Sequence, residues 1–93
     1  MNVRKHLELL GKTGKDKVTE YSGIIESICF DLYGCIQVVV NPGKGSDGKL
    51  IDSRWFDISR IQIIDNTPVM TVPNFEYGPV AEGFHGPTDK PNF

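Results

Sequence analysis

Short apolar runs separated by turn-forming residues recur along this chain. The two longest runs, residues 23–31 and 35–42, are rich in β-branched and aromatic residues and lack helical spacing. They are joined by DLYG, in which Gly34 can supply the positive φ of a tight turn. These runs predict a central antiparallel hairpin, with Val38 and Val40 on one face of its second strand.

Shorter elements are predicted on either side of the hairpin. Strands are expected at residues 17–19, 53–57 and 61–64, with one turn of 3₁₀ helix or a bend at 57–60. Residues 1–11, which contain HLELLG, predict either a short helix or an extended lead-in. Five short strands with frequent turn signals indicate an all-β fold, and their order is typical of a small five-stranded SH3-like barrel.

The composition changes after Asp65. Residues 66–93 contain five of the six prolines and no alternating apolar run, so a domain at 1–65 and a Pro-rich extended C-terminal tail are predicted. Disordered segments are usually poor in aromatic residues. Because the tail carries Phe75, Tyr77, Phe84 and Phe93, part of it is expected to dock, either on its own barrel or on a neighbouring chain.

Overall composition indicates an ordinary globular domain, since 39% of residues are hydrophobic and 24% are charged. No apolar stretch approaches the roughly 20 residues of a membrane helix, so no membrane association is expected. The first residues lack the apolar region and cleavage site of a secretory signal. We therefore expect a cytoplasmic protein.

Cys29 and Cys35 flank the predicted turn. A two-residue turn would pair Cys29 with Ile36, whereas a three-residue loop would place Asp31 opposite Cys35. Neither register sets the two cysteines opposite one another, as an unstrained disulfide requires. The sequence favours two buried or half-buried free thiols in a reducing compartment.

Ligands for a metal or cofactor are not grouped in this sequence. His6 and His85 lie at the extremities of the chain, without the spacing that a zinc site needs. The scattered aspartates are typical of turns rather than of a catalytic carboxylate pair. No catalytic residue, metal or cofactor is predicted, and a protein that is not an enzyme is favoured.

Trp55 and Phe56 are adjacent on a predicted strand, so their side chains must alternate between its two faces. The ring that points outward could serve as a binding platform, and two arginines flank the pair. The candidate binding residues are Trp55, Phe56, Arg54, Arg60 and Tyr33. The acidic residues expected to neutralise the arginines are their near neighbours Asp52 and Asp57.

The charge is unevenly distributed. Residues 1–17 carry a net charge of +3 and the remainder −5. The basic residues of this N-terminal arm are Arg4, Lys5, Lys12, Lys15 and Lys17. Such an arm is either a solvated surface or a phosphate-binding segment, which makes nucleic-acid binding one functional alternative.

Residues 14–64 contain four short strings, DKVT, FDLYGCIQV, DGK and WFD. On these strings, and on GPTDKP near the C-terminus, the chain resembles a group of small uncharacterised SH3-like proteins encoded on mobile elements, both prophages and integron gene cassettes. The resemblance implies membership of that group and no particular chemistry.

The favoured expectation is a non-enzymatic binding or assembly module, forming a homo-oligomer with a dimer favoured, or binding another protein. The first alternative is a nucleic-acid-binding module that uses the basic arm and the Trp55 face. The second is a pore-type oligomeric enzyme, by fold-level analogy with the SH3-like dihydrofolate reductase carried by integron cassettes. The Val-Gln-Ile-Tyr string that lines the pore of that enzyme family is not present in this sequence. The nearest counterpart, Gln62 in RIQII, lies one strand later than the matching position.

Overall fold

One short helix precedes five antiparallel strands in the computed structural model, which describes residues 3–75. The elements are α1 (Val3–Leu7), β1 (Thr13–Asp16), β2 (Ser22–Phe30), β3 (Ile36–Asn41), β4 (Arg54–Asp57), a 3₁₀ turn (Ile58–Arg60) and β5 (Ile61–Asp65). They form one sheet in the order β4-β3-β2-β1-β5. The all-β prediction is confirmed, but the sheet is not closed by pairing of β4 with β5 in this part of the chain.

The predicted first strand was misplaced. It forms at Thr13–Asp16, whereas residues 17–20 make the turn that leads into β2. Gly14 lies inside this strand, where it pairs with Gly23 and lies against Ile25 and Ile61. A β-carbon at position 14 would approach the Ile61 side chain to 2.9 Å, so the glycine permits close packing.

The central hairpin is confirmed, with the register of the three-residue loop. Phe30 pairs with Ile36, and the Asp31 N–H donates to the Cys35 carbonyl oxygen. Asp31 Oδ1 accepts hydrogen bonds from the backbone N–H groups of Tyr33 and Cys35, both at 2.9 Å. The side chain of Asp31 therefore fixes the loop conformation.

The core is small and lies between the inner face of the sheet and the segments that cover it. Its fully or nearly buried members are Ile25, Val38, Val40 and Phe56. Partly buried side chains packed around them are Leu9, Leu10, Tyr21, Ile28, Ile58, Ile61 and Ile63. Burial of one such apolar side chain contributes about 1.5–3 kcal/mol, so each of these four core residues matters to stability.

The long strand β2 contains a bulge at Glu26. Ile25 pairs with Val40 and Ser27 with Val39, which leaves Glu26 as the extra residue. Its carboxylate accepts hydrogen bonds from Asn41 Nδ2 and Ser53 Oγ, both at 3.1 Å. Glu26 thereby ties the end of β3 to the segment that enters β4.

After β5, the chain returns to the connection between α1 and β1. The Val69 N–H donates to the Gly11 carbonyl oxygen at 3.0 Å, and Pro68 lies beside Gly11. The predicted boundary at residue 65 stays a prediction. Tyr77, Phe84, Phe93 and the GPTDKP string lie outside the described residues.

Candidate binding surface

The two aromatic residues of β4 lie on opposite faces of the sheet. Phe56 pairs with Val38 and is 8% exposed, whereas Trp55 pairs with Val39 and is 58% exposed. The predicted alternation is therefore observed. Phe56 must be removed from the candidate surface, because its ring belongs to the core, and Trp55 remains as the outward aromatic side chain.

Strand β4 is also an edge of the sheet. Within residues 3–75 it pairs only with β3, so its other side presents backbone groups that no strand ladder satisfies. Such an edge can pair with a strand from another chain. Trp55 thus combines a large exposed ring with an available strand edge.

Arg60 is not an exposed anion-binding group, contrary to the sequence prediction. Its Nε and Nη2 atoms donate to Asp16 Oδ1 and Oδ2 at 2.7 and 2.6 Å. The guanidinium carbon also lies 5.3 Å from the centroid of the Phe56 ring, a cation–π distance. The guanidinium of Arg60 therefore already interacts with Asp16 and Phe56 inside the protein.

Asp16 is fully buried and heavily hydrogen-bonded. The hydrogen bonds from Arg60, followed by those from the hydroxyl and N–H of Thr19, hold the pKa of its carboxyl well below the usual range in spite of burial. The same pairing raises the pKa of Arg60. Sequence reasoning missed this pair because 44 positions separate its members.

The other acidic neighbours make no direct ion pair with the arginines among residues 3–75. Asp57 Oδ1 accepts hydrogen bonds from the N–H and hydroxyl of Ser59, which lower the pKa of Asp57 and cap the 3₁₀ turn. The charge of Arg60 also helps to lower the pKa of Asp57. Asp52 accepts a hydrogen bond from the Tyr21 hydroxyl through its carbonyl oxygen. Arg54 is exposed and makes no ion pair among residues 3–75.

Tyr33 is 87% exposed at the tip of the central hairpin. Trp55 lies opposite Val39, four residues along the chain from Cys35, a separation of roughly 13 Å at the usual rise of a strand. Tyr33 is therefore not a neighbour of Trp55 on the sheet.

The basic residues occupy a different part of the molecule from Trp55. Arg4 and Lys5 lie in α1, Lys15 lies in β1, and Lys12 and Lys17 flank that strand. Strands β2 and β3 separate β1 from β4 in the sheet order. The structure therefore does not bring the basic arm and Trp55 together on adjacent strands.

Both cysteines are free, but the expectation that they are buried or half-buried was wrong. Cys29 pairs with Gln37 on the face away from the core, and Cys35 follows the hairpin loop, so both are exposed. The negative charge of Asp31 raises the pKa of the Cys35 thiol. No group of three potential metal ligands is found among residues 3–75.

The helices of the described region are too short and too polar to cross a bilayer. Comparison of the chain with protein-family models, with curated proteins and with solved structures found no match. Function is therefore inferred from the geometry of β4 and its surroundings.

Proposed function

We propose that this protein is a non-enzymatic interaction module whose contact surface is the outer face and unpaired edge of β4, with Trp55 at its centre. The observation that carries the proposal is the 58% exposure of Trp55 on a strand that pairs on one side only. Burying an aromatic ring and pairing a strand edge both favour association.

The chemistry of this surface favours a partner that supplies an extended backbone. An added strand would hydrogen-bond to the edge of β4, while its side chains would cover Trp55 on the outer face. Tryptophan is among the residues that most often dominate the binding energy of protein interfaces. Arg54 and Asp57, which are exposed on the same strand, would restrict the choice of partner.

A second copy of the chain is the first partner to consider. Antiparallel pairing of two β4 strands about a two-fold axis keeps each residue on the same sheet face in both copies. Residues of the same face must therefore oppose each other. A register centred on Trp55 places the two tryptophan rings together on the outer face.

We also propose that the open sheet has SH3-like topology. The strand order β4-β3-β2-β1-β5, the bulge in β2 and the 3₁₀ turn between β4 and β5 support this assignment. A bulge bends a strand and allows it to contribute to both halves of a strongly curved sheet. The likeness to mobile-element proteins and the cytoplasmic location stay predictions.

The two alternatives have less support from the geometry. Nucleic-acid binding through a joint surface requires the basic arm and Trp55 to act together, yet two strands lie between β1 and β4. The pore-type enzyme requires a closed oligomer with a central cavity, which a mass of monomer or dimer would exclude.

Light scattering on a sizing column, over a series of protein concentrations, tests the proposal. We expect the full chain to form a dimer that Trp55→Ser weakens at least tenfold. The matched control is Tyr33→Ser, which also removes an exposed aromatic ring but lies in the hairpin loop and not on β4. Equal dissociation of both variants would contradict a role specific to Trp55. A chain that is monomeric throughout would exclude self-association, and binding would then have to involve a different protein.

A further inference from the structure

A groove of about 390 Å³ lies between α1 and residues 68–75. Among the described residues, Leu7, Val72 and Phe75 line the groove with apolar side chains, Arg4 and Lys12 with cationic ones and Glu8 with a carboxylate. This part of the lining therefore combines apolar surface with more cationic than anionic side chains. An anionic segment that also carries apolar side chains would match both properties.

The chain itself continues from the wall of this groove. Phe75 lines the groove and is the last described residue, and 18 residues follow it. Residues 76–93 contain Glu76, Glu82 and Asp89 against Lys90, a net charge of −2 with histidine neutral. They also contain three aromatic residues, Tyr77, Phe84 and Phe93. Their composition thus complements the groove in charge and in apolar character.

We propose that this groove binds acidic, aromatic residues from the 76–93 segment of the same chain, and that the contact shields the basic N-terminal arm from external polyanions. The proposal is independent of the role assigned to Trp55, because the groove lies at α1 and not at β4. It gives the groove a specific occupant and the C-terminal segment a regulatory role.

Covalent linkage makes even a weak contact effective. A short connection gives the attached segment a local concentration in the millimolar range, which an external ligand must exceed. Eighteen extended residues reach about 60 Å, so chain length does not limit access to the groove. The attraction between opposite charges should weaken as salt shortens the screening length.

Paramagnetic relaxation enhancement tests the contact in the full chain. The exposed native thiols are removed with Cys29→Ser and Cys35→Ser, and a nitroxide is attached at Ala81→Cys. We expect the amide signals of α1 and Lys12 to lose intensity at low salt and to regain it at high salt. A label at Ser46→Cys, in the exposed loop before β4, is the matched control and should leave those signals unchanged.

Two outcomes would overturn the contact. The first is full intensity at α1 and Lys12 with the label at position 81. The second is an equal loss when ¹⁵N-labelled chain without nitroxide is mixed with unlabelled chain carrying it, because the segment would then bind another copy.

Binding of a thymidine oligonucleotide, used as a probe polyanion, tests the shielding. Neutralising the segment with Glu76→Gln, Glu82→Gln and Asp89→Asn should increase affinity several-fold at low salt, and Lys12→Gln should abolish the increase. The matched control neutralises three carboxylates elsewhere, Glu20→Gln, Asp47→Asn and Asp52→Asn. An equal increase in that control would attribute the effect to net charge, and no increase in the tail variant would exclude shielding.

Discussion

The two faces of β4 use neighbouring aromatic residues in different ways. The Phe56 ring packs against Tyr21, with ring centroids 5.3 Å apart, and lies under the guanidinium of Arg60. Trp55 lies beside Val39 on the opposite face and keeps more than half of its surface exposed. The inner face is therefore completed by the chain's own residues, whereas the outer face keeps a large aromatic ring exposed.

Polar groups show the same contrast. Behind Phe56, Arg60 is paired through two hydrogen bonds with a buried carboxylate that also receives bonds from Thr19. By contrast, the edge of β4 that faces away from β3 has no strand paired with it among residues 3–75. Substitutions behind Phe56 should thus change stability, and substitutions at Trp55 should change association.

The largest difference is expected between the two aromatic residues themselves. Phe56→Ala should lower the free energy of unfolding by about 3–5 kcal/mol, because it leaves a cavity in a small core. Trp55→Ala should lower it by less than about 1 kcal/mol. Urea denaturation of both variants, at a concentration where the chain is monomeric, measures the difference. Similar losses would show that Trp55 is a structural residue.

Removing the charge of Asp16 should have the next largest effect. Asp16→Asn leaves the partly buried guanidinium of Arg60 without its ionic partner, and we expect the melting temperature to fall by roughly 10 °C. Asp47→Asn is the matched control, since Asp47 is exposed and an asparagine side chain can still accept the hydrogen bond from the Lys49 N–H. An equal fall in the melting temperature of the control would show that the loss does not depend on the Asp16–Arg60 pair.

Stability should decrease in acid because of the same carboxylate. The pKa of Asp16 is lowered by folding, so the unfolded state, with an ordinary value near 3.8, takes up the proton first as the pH falls. The contribution is complete above about pH 5 and is lost progressively below it. Urea midpoints measured between about pH 5 and pH 2 should fall less steeply for Asp16→Asn than for the unmodified chain. An equal decrease of the urea midpoint with pH in both proteins would contradict a contribution of Asp16 to the acid sensitivity.

The smallest expected effect concerns thiol reactivity on the outer face. Asp31 raises the pKa of Cys35, which reduces its thiolate fraction near neutral pH. Asp31→Asn should therefore accelerate alkylation of Cys35 by iodoacetamide a few-fold, as measured by mass spectrometry of the modified peptide. The rate at Cys29, measured in the same samples, corrects for any change in general accessibility. An unchanged ratio of the two rates would contradict the electrostatic effect.

Local patterns were sufficient for much of the fold. Alternating apolar residues and the DLYG turn predicted the hairpin, and the two adjacent aromatics predicted one inward and one outward ring. The first strand was missed because close packing of Gly14 depends on residues far away in sequence. A glycine in a strand resembles a breaker when only its neighbours are known.

The candidate site could be predicted only in part for the same reason. Strand alternation placed one ring outside without deciding between Trp55 and Phe56, and that choice depends on Tyr21 and Arg60, which cover the inner ring. Adjacent charges suggested Asp57 as the partner of Arg60, but folding brings Asp16 to it. Long-range pairing, rather than local charge, determined which residues remained exposed.

The most direct test uses the single tryptophan as a reporter of its own surface. Fluorescence emission of Trp55 should be recorded across the concentration range in which light scattering follows the mass. Assembly through β4 predicts that the emission maximum moves to shorter wavelength in the same range in which the dimer forms, because the ring becomes buried. A dimer that forms with unchanged emission would contradict the proposed surface.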